Sequence, residues 1–384
     1  MSHQYSKRSR LALMLGHCAG MIDLVALPIW VGALIAHYHF DPQQAGMLAS
    51  LFLVGAVIAS VALAPRFDRL PVRLVATTGF GIAALGFAAA STTQNFAVLA
   101  MLHALCGMAS GSALSVTHGS IARSANPHRM FAVAGIALGV FAIVFLGAVP
   151  QVIASKGGAS LFFVFAIVMT LGALCSAWTF PAQTATSTSS QPGQLKAIDR
   201  TVWYGICGIA CMGLVQAMTF SFLERAGSDK GFAADAITGV LIALGVVNLF
   251  PAAFAAVLEK RWNARWVLLA GPVVQAMLVI VIVQATAFTP YAVAASVFAA
   301  VMIFTHTFAF GVLARLDNSG RAMAATPAML MTGAAIGPVL GGTLVKTWGY
   351  SSLGVTSAVI AVVAVVCFSR IPASTGAVQQ EVTA

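Results

Sequence analysis

The stretch from Leu11 to His39 reads LALMLGHCAGMIDLVALPIWVGALIAHYH. It decides the fold because it is apolar over more residues than a membrane crossing requires. About 20 apolar residues span the hydrocarbon core of a bilayer. The stretch contains no Lys or Arg, yet Asp23 lies near its middle. A carboxylate at that depth costs on the order of 3 kcal/mol even on lenient insertion scales, so it requires a partner, a water-filled cavity or a proton. Asp23 is therefore the first candidate functional residue, and a purely structural hydrogen bond to a neighbouring helix is the alternative.

The composition of the whole chain agrees with this stretch. Hydrophobic residues make up 60% of the 384 residues and charged residues only 8%, whereas a soluble domain carries about a quarter charged residues. The six cysteines are scattered through apolar segments, which argues against a disulfide framework. The sequence predicts an all-α polytopic membrane protein with no cofactor and no metal site.

Intramembrane enzymes are disfavoured by the same residues. A zinc protease requires His-Glu-x-x-His on a helix, and the sequence lacks this motif. A protease that uses paired aspartates requires two of them in the membrane, and only Asp23 qualifies. A channel is disfavoured because no charged filter or ring-forming pattern is present. The sequence therefore indicates a protein that is not an enzyme.

Hydropathy divides the chain into twelve spanning segments, numbered 1 to 12 in chain order. They are predicted at 11–37, 45–64, 74–91, 96–122, 130–153, 159–180, 201–224, 234–257, 265–287, 290–314, 322–345 and 350–369.

The positions of Lys and Arg predict the orientation. If the N-terminus lies inside, only Lys156, Arg225, Lys230 and Lys346 of the 20 basic residues lie outside. This bias satisfies the positive-inside rule. It predicts a bacterial-type cytoplasmic (inner) membrane protein with both termini in the cytoplasm. The net charge of +10 is then a basic rim that faces anionic lipid, and no nucleic-acid partner is expected.

A polar linker divides the segments into two sets of six. Residues 182–199 are rich in Ser and Thr, which is typical of a flexible connection. We expect an N-terminal six-helix half at 1–181, a C-terminal half at 200–372 and a cytoplasmic tail at 373–384. Two such halves are a common plan of secondary transporters.

The loop between segments 2 and 3 carries the most specific motif. It reads APRFDRLPVR at 64–73 and resembles the signature Gly-x-x-x-Asp-Arg-x-Gly-Arg-Arg of the major facilitator superfamily (MFS) of secondary transporters. Asp68, Arg69 and Arg73 match, and both signature glycines are replaced. The resemblance covers about residues 10 to 372 and implies the twelve-helix MFS fold. It also implies that these three charged residues form a conformational latch; a plain basic turn is the alternative.

A second MFS motif, Leu-x-x-x-Arg-x-x-Gln-Gly, is partly present in segment 4. Leu99 and Gly107 match, whereas His103 stands where the family often has Arg and Cys106 where it has Gln. Histidine titrates near pH 6.5 and arginine does not titrate in proteins. His103 could therefore take part in proton coupling, or it could be a neutral packing residue bonded to a backbone carbonyl.

A third motif, Gly-x-x-x-Gly-Pro-x-x-Gly-Gly, belongs to segment 5 of the family's proton antiporters. Here it is absent from segment 5 and intact in segment 11, as Gly333, Gly337, Pro338, Gly341 and Gly342. Its glycines allow close helix packing and its proline supplies a kink. We interpret it as a helix-packing motif, and its displacement weakens an antiport assignment.

The resemblance implies that segments 1, 4, 7 and 10 line a central cavity. The polar residues nearest mid-membrane in these segments are Asp23, His103, Gln216 and His306, which we predict to contact substrate or proton. Other polar residues there are His17, Ser110, Ser115, Thr117, His118, Thr219, Thr305 and Thr307. No Lys or Arg lies at mid-membrane depth, which favours neutral, amphipathic or cationic substrates, or a monocarboxylate taken with a proton.

Two transport functions fit these residues. The first is proton-coupled export (efflux) of an amphipathic drug or metabolite. The alternative is proton-coupled symport, the uptake of a small organic acid or similar nutrient. Both take a small-molecule substrate and protons as partners, with Asp23 as the coupling carboxylate. We expect the protein to act as a monomer.

Overall fold

The computed structural model describes residues 5–181, 199–259, 261–316 and 326–372, and these residues form helices joined by short turns. Segments 1, 7 and 8 are each broken into two helices. A short 3-10 helix, Ala64–Arg69, joins segments 2 and 3. From segment 1 to segment 12 the helices are Lys7–Gly20 with Ile22–Tyr38, Pro42–Leu63, Val72–Ala90, Phe96–Ala122, Pro127–Lys156, Ala159–Thr179, Arg200–Phe220 with Leu223–Asp229, Ala234–Val247 with Pro251–Leu258, Ala264–Gln284, Phe288–Leu316, Thr326–Trp348 and Ser351–Ser369.

These helices match the predicted membrane spans. Eleven segments are long and apolar enough, by length and composition, to cross a membrane. The twelfth predicted span, segment 11, is the 23-residue helix Thr326–Trp348. The linker predicted at 182–199 lies outside the described residues except for Asp199, which caps segment 7 by accepting a hydrogen bond from the Thr201 N–H at 2.7 Å.

Small residues bring the helix backbones together inside each half. A side chain added at Gly107 of segment 4 would overlap the Phe52 carbonyl of segment 2, and one at Gly111 would overlap Ala56. Lipid chains are as apolar as leucine, so membrane helices associate through close packing of this kind rather than through a hydrophobic driving force.

Segments 1 and 7 each break into two helices, near the middle of segment 1 and near the far end of segment 7. In segment 1 the helix ends at Gly20, Met21 caps it, and a second helix begins at Ile22. In segment 7 the helix ends at Phe220 and a second helix begins at Leu223. The Ser221 hydroxyl donates to the Ala217 carbonyl at 2.7 Å, a local bond that often bends helices. Broken helices at mid-depth are a recurring feature of transporter binding sites.

A pair of arginines shows that the two halves repeat one design. Arg73, the second residue of segment 3, donates from Nε and Nη2 to the Phe180 carbonyl after segment 6, at 3.0 and 2.7 Å. Arg265, the second residue of segment 9, donates from Nη1 to the Ile371 carbonyl after segment 12, at 3.1 Å. The same contact thus ties the third helix to the sixth in each half.

The two halves meet along segments 2 with 11 and 5 with 8, and in a smaller contact between segments 1 and 7. The Val339 N–H of segment 11 donates to the Ser50 hydroxyl of segment 2 at 3.0 Å. A side chain added at Gly46 would overlap the Pro338 carbonyl oxygen. Lys346 pairs with Asp41 at 2.9 Å. These contacts lie toward the end of the molecule that carries the turn at residues 39–41, called here the 39–41 end.

Candidate functional site

Asp23 is the second residue of the second helix of segment 1, next to the break at Met21. Its side chain is buried, with 4% of the residue surface exposed. Its Oδ1 atom has no hydrogen-bond partner among the described residues. None of the ion pairs formed within the described ranges includes Asp23. The structure therefore presents a buried carboxyl group with one oxygen unpaired and no ion-pair partner among the described residues.

Such a buried carboxyl group has a narrow range of chemistry. Burial penalises its charged form, and no cation offsets the penalty here. A proton offsets it directly, and a hydrogen-bonding ligand offsets part of it. The group is therefore suited to bind a proton or to contact a polar substrate.

His17 and His118 form a direct pair between segments 1 and 4. His17 Nδ1 and His118 Nε2 lie 2.9 Å apart, and the ring centroids are separated by 5.1 Å. One ring donates to the other, because a neutral imidazole has one donor and one acceptor nitrogen. The pair lies six residues before Asp23 along segment 1, on the side of the break that leads to the N-terminus. It satisfies two polar side chains that would otherwise be orphaned.

His103 lies inside an aromatic cluster of the N-terminal half. Its ring is fully buried and is 5.5 Å from Trp30, 6.2 Å from Phe87 and 5.3 Å from Phe162, between ring centroids. Nδ1 contacts the Leu99 carbonyl at 2.6 Å. The cluster joins segments 1, 3, 4 and 6. The predicted role of His103 in the cavity stays a prediction, and its surroundings are those of a packing residue.

Gln216 and His306 lie in separate surroundings. The Gln216 amide oxygen accepts a hydrogen bond from Gln275 Nε2 of segment 9 at 3.2 Å, and the same nitrogen contacts the Met212 carbonyl at 3.2 Å. His306 packs on Phe310 with 5.0 Å between ring centroids, and its Nδ1 atom is buried without a partner in the described part of the chain. Among the described residues, neither side chain forms a hydrogen bond with Asp23, so their predicted role in the cavity also stays a prediction.

The predicted latch is described only in part. The Asp68 side chain lies outside the described residues, and Arg69 is exposed. Arg73 is engaged with the Phe180 carbonyl. In the same loop, the Phe67 ring centroid lies 4.5 Å from the guanidinium carbon of Arg123, which follows segment 4. The latch therefore stays a prediction.

The segment 11 motif has two faces. Side chains added at Gly333 and Gly337 would overlap the backbone of segment 7, at Ala210 and Met218, and one at Gly341 would meet Met218 at 3.0 Å. On the other face, Gly342 lies against Pro42 and the Pro338 carbonyl lies against Gly46. Segment 11 therefore packs within its own half and also against the other half.

Sequence analysis missed Glu224. It was placed at the last position of segment 7, where an acidic residue is unremarkable. In the structure it is the second residue of the helix Leu223–Asp229, the position that Asp23 has in segment 1. Its Oε2 atom lies where a side chain on Gly32 would be. No signal in the sequence alone marks Glu224, because its contact with Gly32 depends on how the two halves pack.

The architecture is that of a polytopic membrane protein built from two repeated six-helix halves, with a buried carboxyl group at a helix break. The chain belongs to the Major Facilitator Superfamily, whose family profile matches residues 12–316. It is thus a member of a family of small-molecule transporters, and the predicted twelve-helix MFS fold is confirmed. A comparison with curated protein sequences finds no match.

Several solved structures share this fold. A D-xylose-proton symporter matches with a TM-score of 0.77 and 14% identity, over 96% of this chain and 98% of that one. The nucleoside transporter NupG matches with a TM-score of 0.72 and 15% identity, over 95% of this chain and 98% of that one. The third match is a bacterial homolog of the human lysosomal transporter Spinster, in an inward-facing and unoccupied conformation. Its TM-score is 0.68 and its identity 15%, over 95% of this chain and 97% of that one.

Proposed function

We propose that this protein is a proton-coupled symporter that brings a small polar organic nutrient into the cell. The observation that carries the proposal is the Asp23 carboxyl group, buried at a break in segment 1 with Oδ1 unpaired. A proton is the smallest ligand that removes the cost of burying this group. The protein acts as a monomer in a bacterial-type inner membrane, with both termini in the cytoplasm.

The comparisons support uptake more than export. Two of the similar structures are named as a D-xylose-proton symporter and a nucleoside transporter, and both names refer to small polar metabolites. Efflux has no comparable support, and the antiporter motif is absent from segment 5. The absence of Lys and Arg at mid-membrane depth favours a substrate without several negative charges, such as a sugar, a nucleoside or a monocarboxylate taken with a proton.

Coupling follows from the surroundings of Asp23. When the halves open toward the outside, the carboxyl group meets water and takes a proton from the more acidic side. Protonation removes the negative charge of Asp23, so that the substrate can be enclosed next to a neutral carboxyl group. The halves then close at the 39–41 end, as in the structure, and the cavity opens to the cytoplasm, where substrate and proton leave. Both steps use the rocking of one half against the other.

The first experiment is thermal stabilisation of the purified protein by a panel of compounds at about pH 6 and about pH 8, on either side of neutrality. The panel contains pentoses, nucleosides, small monocarboxylates and lipophilic cations. A ligand that binds the folded state raises its apparent stability by mass action. Stabilisation by a polar nutrient, stronger at the lower pH, is the expected result. Stabilisation by lipophilic cations, stronger at the higher pH, would support export instead.

The second experiment uses the compound so identified in proteoliposomes. Asp23→Asn keeps the shape of the side chain but cannot exchange a proton. We expect it to retain substrate exchange and to lose accumulation driven by a proton gradient. Asp235→Asn, which alters an exposed carboxylate at the start of segment 8, is the control and retains both. Gradient-driven accumulation by Asp23→Asn equal to that of wild type would exclude Asp23 as the coupling site.

A further inference from the structure

Glu224 places a second carboxyl group at the contact between the two halves. Gly32 lies in the second helix of segment 1, nine residues after Asp23. A Cβ atom built on Gly32 would overlap Glu224 Oε2 and lie 3.3 Å from the Glu224 carboxyl carbon and 3.7 Å from the Arg225 Cβ. The Glu224 carboxyl group therefore fills the space that any larger residue at position 32 would occupy.

The charged groups around Glu224 are only partly engaged elsewhere, since the Arg225 Nε atom is buried without a hydrogen-bond partner among the described residues. The adjacent Arg225 bonds the Asp229 carboxylate at 2.6 Å, and Asp229 also accepts a hydrogen bond from the Tyr350 hydroxyl at 2.6 Å. From segment 10, the Tyr291 hydroxyl donates to the Leu223 carbonyl at 2.7 Å. Segment 1 faces Glu224 with the backbone of Gly32, which carries no side chain. Within the described ranges, no ion pair includes Glu224.

An ionised carboxylate in this place is unfavourable while the halves are closed. Closure leaves the Glu224 residue only partly exposed, and the adjacent cation, Arg225, is already paired with Asp229, so a charge on Glu224 is only partly compensated. The protonated form removes the charge and fits the same space. When the halves separate at the 39–41 end, Glu224 loses its contact with Gly32 and regains water. Its preferred protonation state therefore depends on whether this end is closed.

We propose that Glu224 is a second proton-binding site, which holds a proton while the 39–41 end is closed and exchanges it with the outside when that end opens. The inference rests on the proposed function, because it assigns a second proton to the same transport cycle. Asp23 and Glu224 are each the second residue of the helix that follows a break, at different depths.

The test measures closure of the 39–41 end without a substrate. Cysteines are introduced by Ser50→Cys, at a buried contact between the halves, and by Thr92→Cys, at an exposed turn. The purified protein is alkylated with a maleimide, and mass spectrometry gives the ratio of labelling at residue 50 to labelling at residue 92. Residue 92 corrects for the pH dependence of the reagent.

We expect the ratio to rise by about tenfold or more between about pH 5.5 and pH 8.5, because one linked proton shifts an equilibrium by up to about tenfold per pH unit. Glu224→Gln should keep the ratio low and change it by less than about twofold over this range. The control Asp235→Asn should follow wild type. A wild-type ratio that does not change with pH, or a Glu224→Gln ratio that rises as steeply as wild type, would overturn the proposal.

A second variant tests the geometry without altering the carboxyl group. Gly32→Ala places a methyl group where Oε2 lies, so the flexible Glu224 side chain must turn out of the contact, and the pH dependence of the labelling ratio should weaken. Gly239→Ala is the control, because a Cβ there meets nothing within 4 Å. A Gly32→Ala ratio that rises with pH as steeply as that of wild type would show that this contact does not govern the proton, and would also overturn the proposal.

The outcome is independent of the proposed function. The labelling ratio requires neither substrate nor gradient, so the Glu224 site can fail while Asp23→Asn still uncouples transport. Conversely, Asp23→Asn can leave gradient-driven accumulation intact while Glu224→Gln abolishes the pH dependence of closure. Each variant therefore reports on one carboxyl group.

Discussion

The Lys346 ammonium and the Asp41 carboxylate lie 2.9 Å apart and join the end of segment 11 to the turn before segment 2. The Gln44 N–H also donates to Asp41 Oδ1 at 2.9 Å. Partial burial alone would raise the pKa of Asp41, but the hydrogen bonds from Gln44 and Lys346 outweigh it, so the pKa lies below its usual value. The pair is one side-chain contact that crosses between the halves.

Breaking this pair should loosen closure of the 39–41 end. Because the pKa of Asp41 is lowered, its ion pair with Lys346 stabilises the closed form at pH values above the usual pKa of aspartate. This stabilisation is lost as the pH falls through the lowered pKa. At neutral pH, Asp41→Asn should raise labelling of Ser50→Cys by up to about fivefold, because a partly exposed ion pair contributes about 0.2–1 kcal/mol. Glu259→Gln, which breaks a pair with Arg315 inside one half, is the control. Equal labelling in both variants would show that the contact does not help closure.

Gly46→Ala should prevent the halves from closing. The added methyl group would overlap the Pro338 carbonyl oxygen and lie 2.7 Å from its carbon, and a helix backbone cannot turn aside as a side chain can. Overpacking of this kind costs about 1–3 kcal/mol, so labelling at residue 50 should increase by roughly tenfold or more. Gly81→Ala is the matched control because a Cβ there meets nothing within 4 Å. If the two variants label alike, segments 2 and 11 do not close in this way.

Arg73→Ala should destabilise the N-terminal half. It removes both hydrogen bonds to the Phe180 carbonyl, and bonds from charged groups contribute about 1.5–3 kcal/mol. We expect the thermal unfolding midpoint in detergent to fall by several degrees. Arg265→Ala, which removes one bond to Ile371, should have a smaller effect. The exposed Arg129 supplies the control variant, Arg129→Ala. A midpoint for Arg73→Ala equal to that of the control would contradict an anchoring role.

His103→Phe distinguishes packing from proton chemistry. A phenyl ring fits among Trp30, Phe87 and Phe162, so stability should change by less than about 1.5 kcal/mol and transport by less than about twofold. His103→Ala leaves a cavity in the same cluster and should cost about 3 kcal/mol or more. Thermal unfolding and proteoliposome uptake provide the two measurements. Loss of gradient-driven uptake in a stable His103→Phe protein would instead support the role in the cavity suggested by the sequence.

Much of the fold could be predicted because a bilayer requires apolar segments of a fixed length, which can be recognised along the sequence. Span length placed the segments to within a few residues of the observed helices. The breaks at Met21 and Ser221 could not be predicted, because no proline lies at either position and a broken helix has the same hydropathy as a continuous one. The arginine anchors, Arg73 and Arg265, depend on carbonyl groups about a hundred residues away in the chain.

The candidate site was only partly predictable for a related reason. Asp23 is conspicuous because it interrupts a long apolar stretch. Glu224 lies beside Arg225 near the end of a segment, where charged residues are ordinary, and only the approach of Gly32 from the other half makes it unusual. His103 shows the converse, since its depth suggested the cavity and its helix face turns it toward aromatic rings. Depth can be read along the chain, whereas the direction of a side chain within the bundle depends on packing.

The contact of Gly46 and Gly342 with the backbone opposite them has a consequence for speed. A contact surface formed by side chains must fix their rotamers each time it forms, at up to about 2 kcal/mol for a long flexible residue. Two backbones that touch through glycine have no rotamers to fix or release. The halves can therefore separate and rejoin here with little change in side-chain conformational entropy. The turnover rate of the carrier should depend on breaking the polar contacts between the halves rather than on reordering side chains.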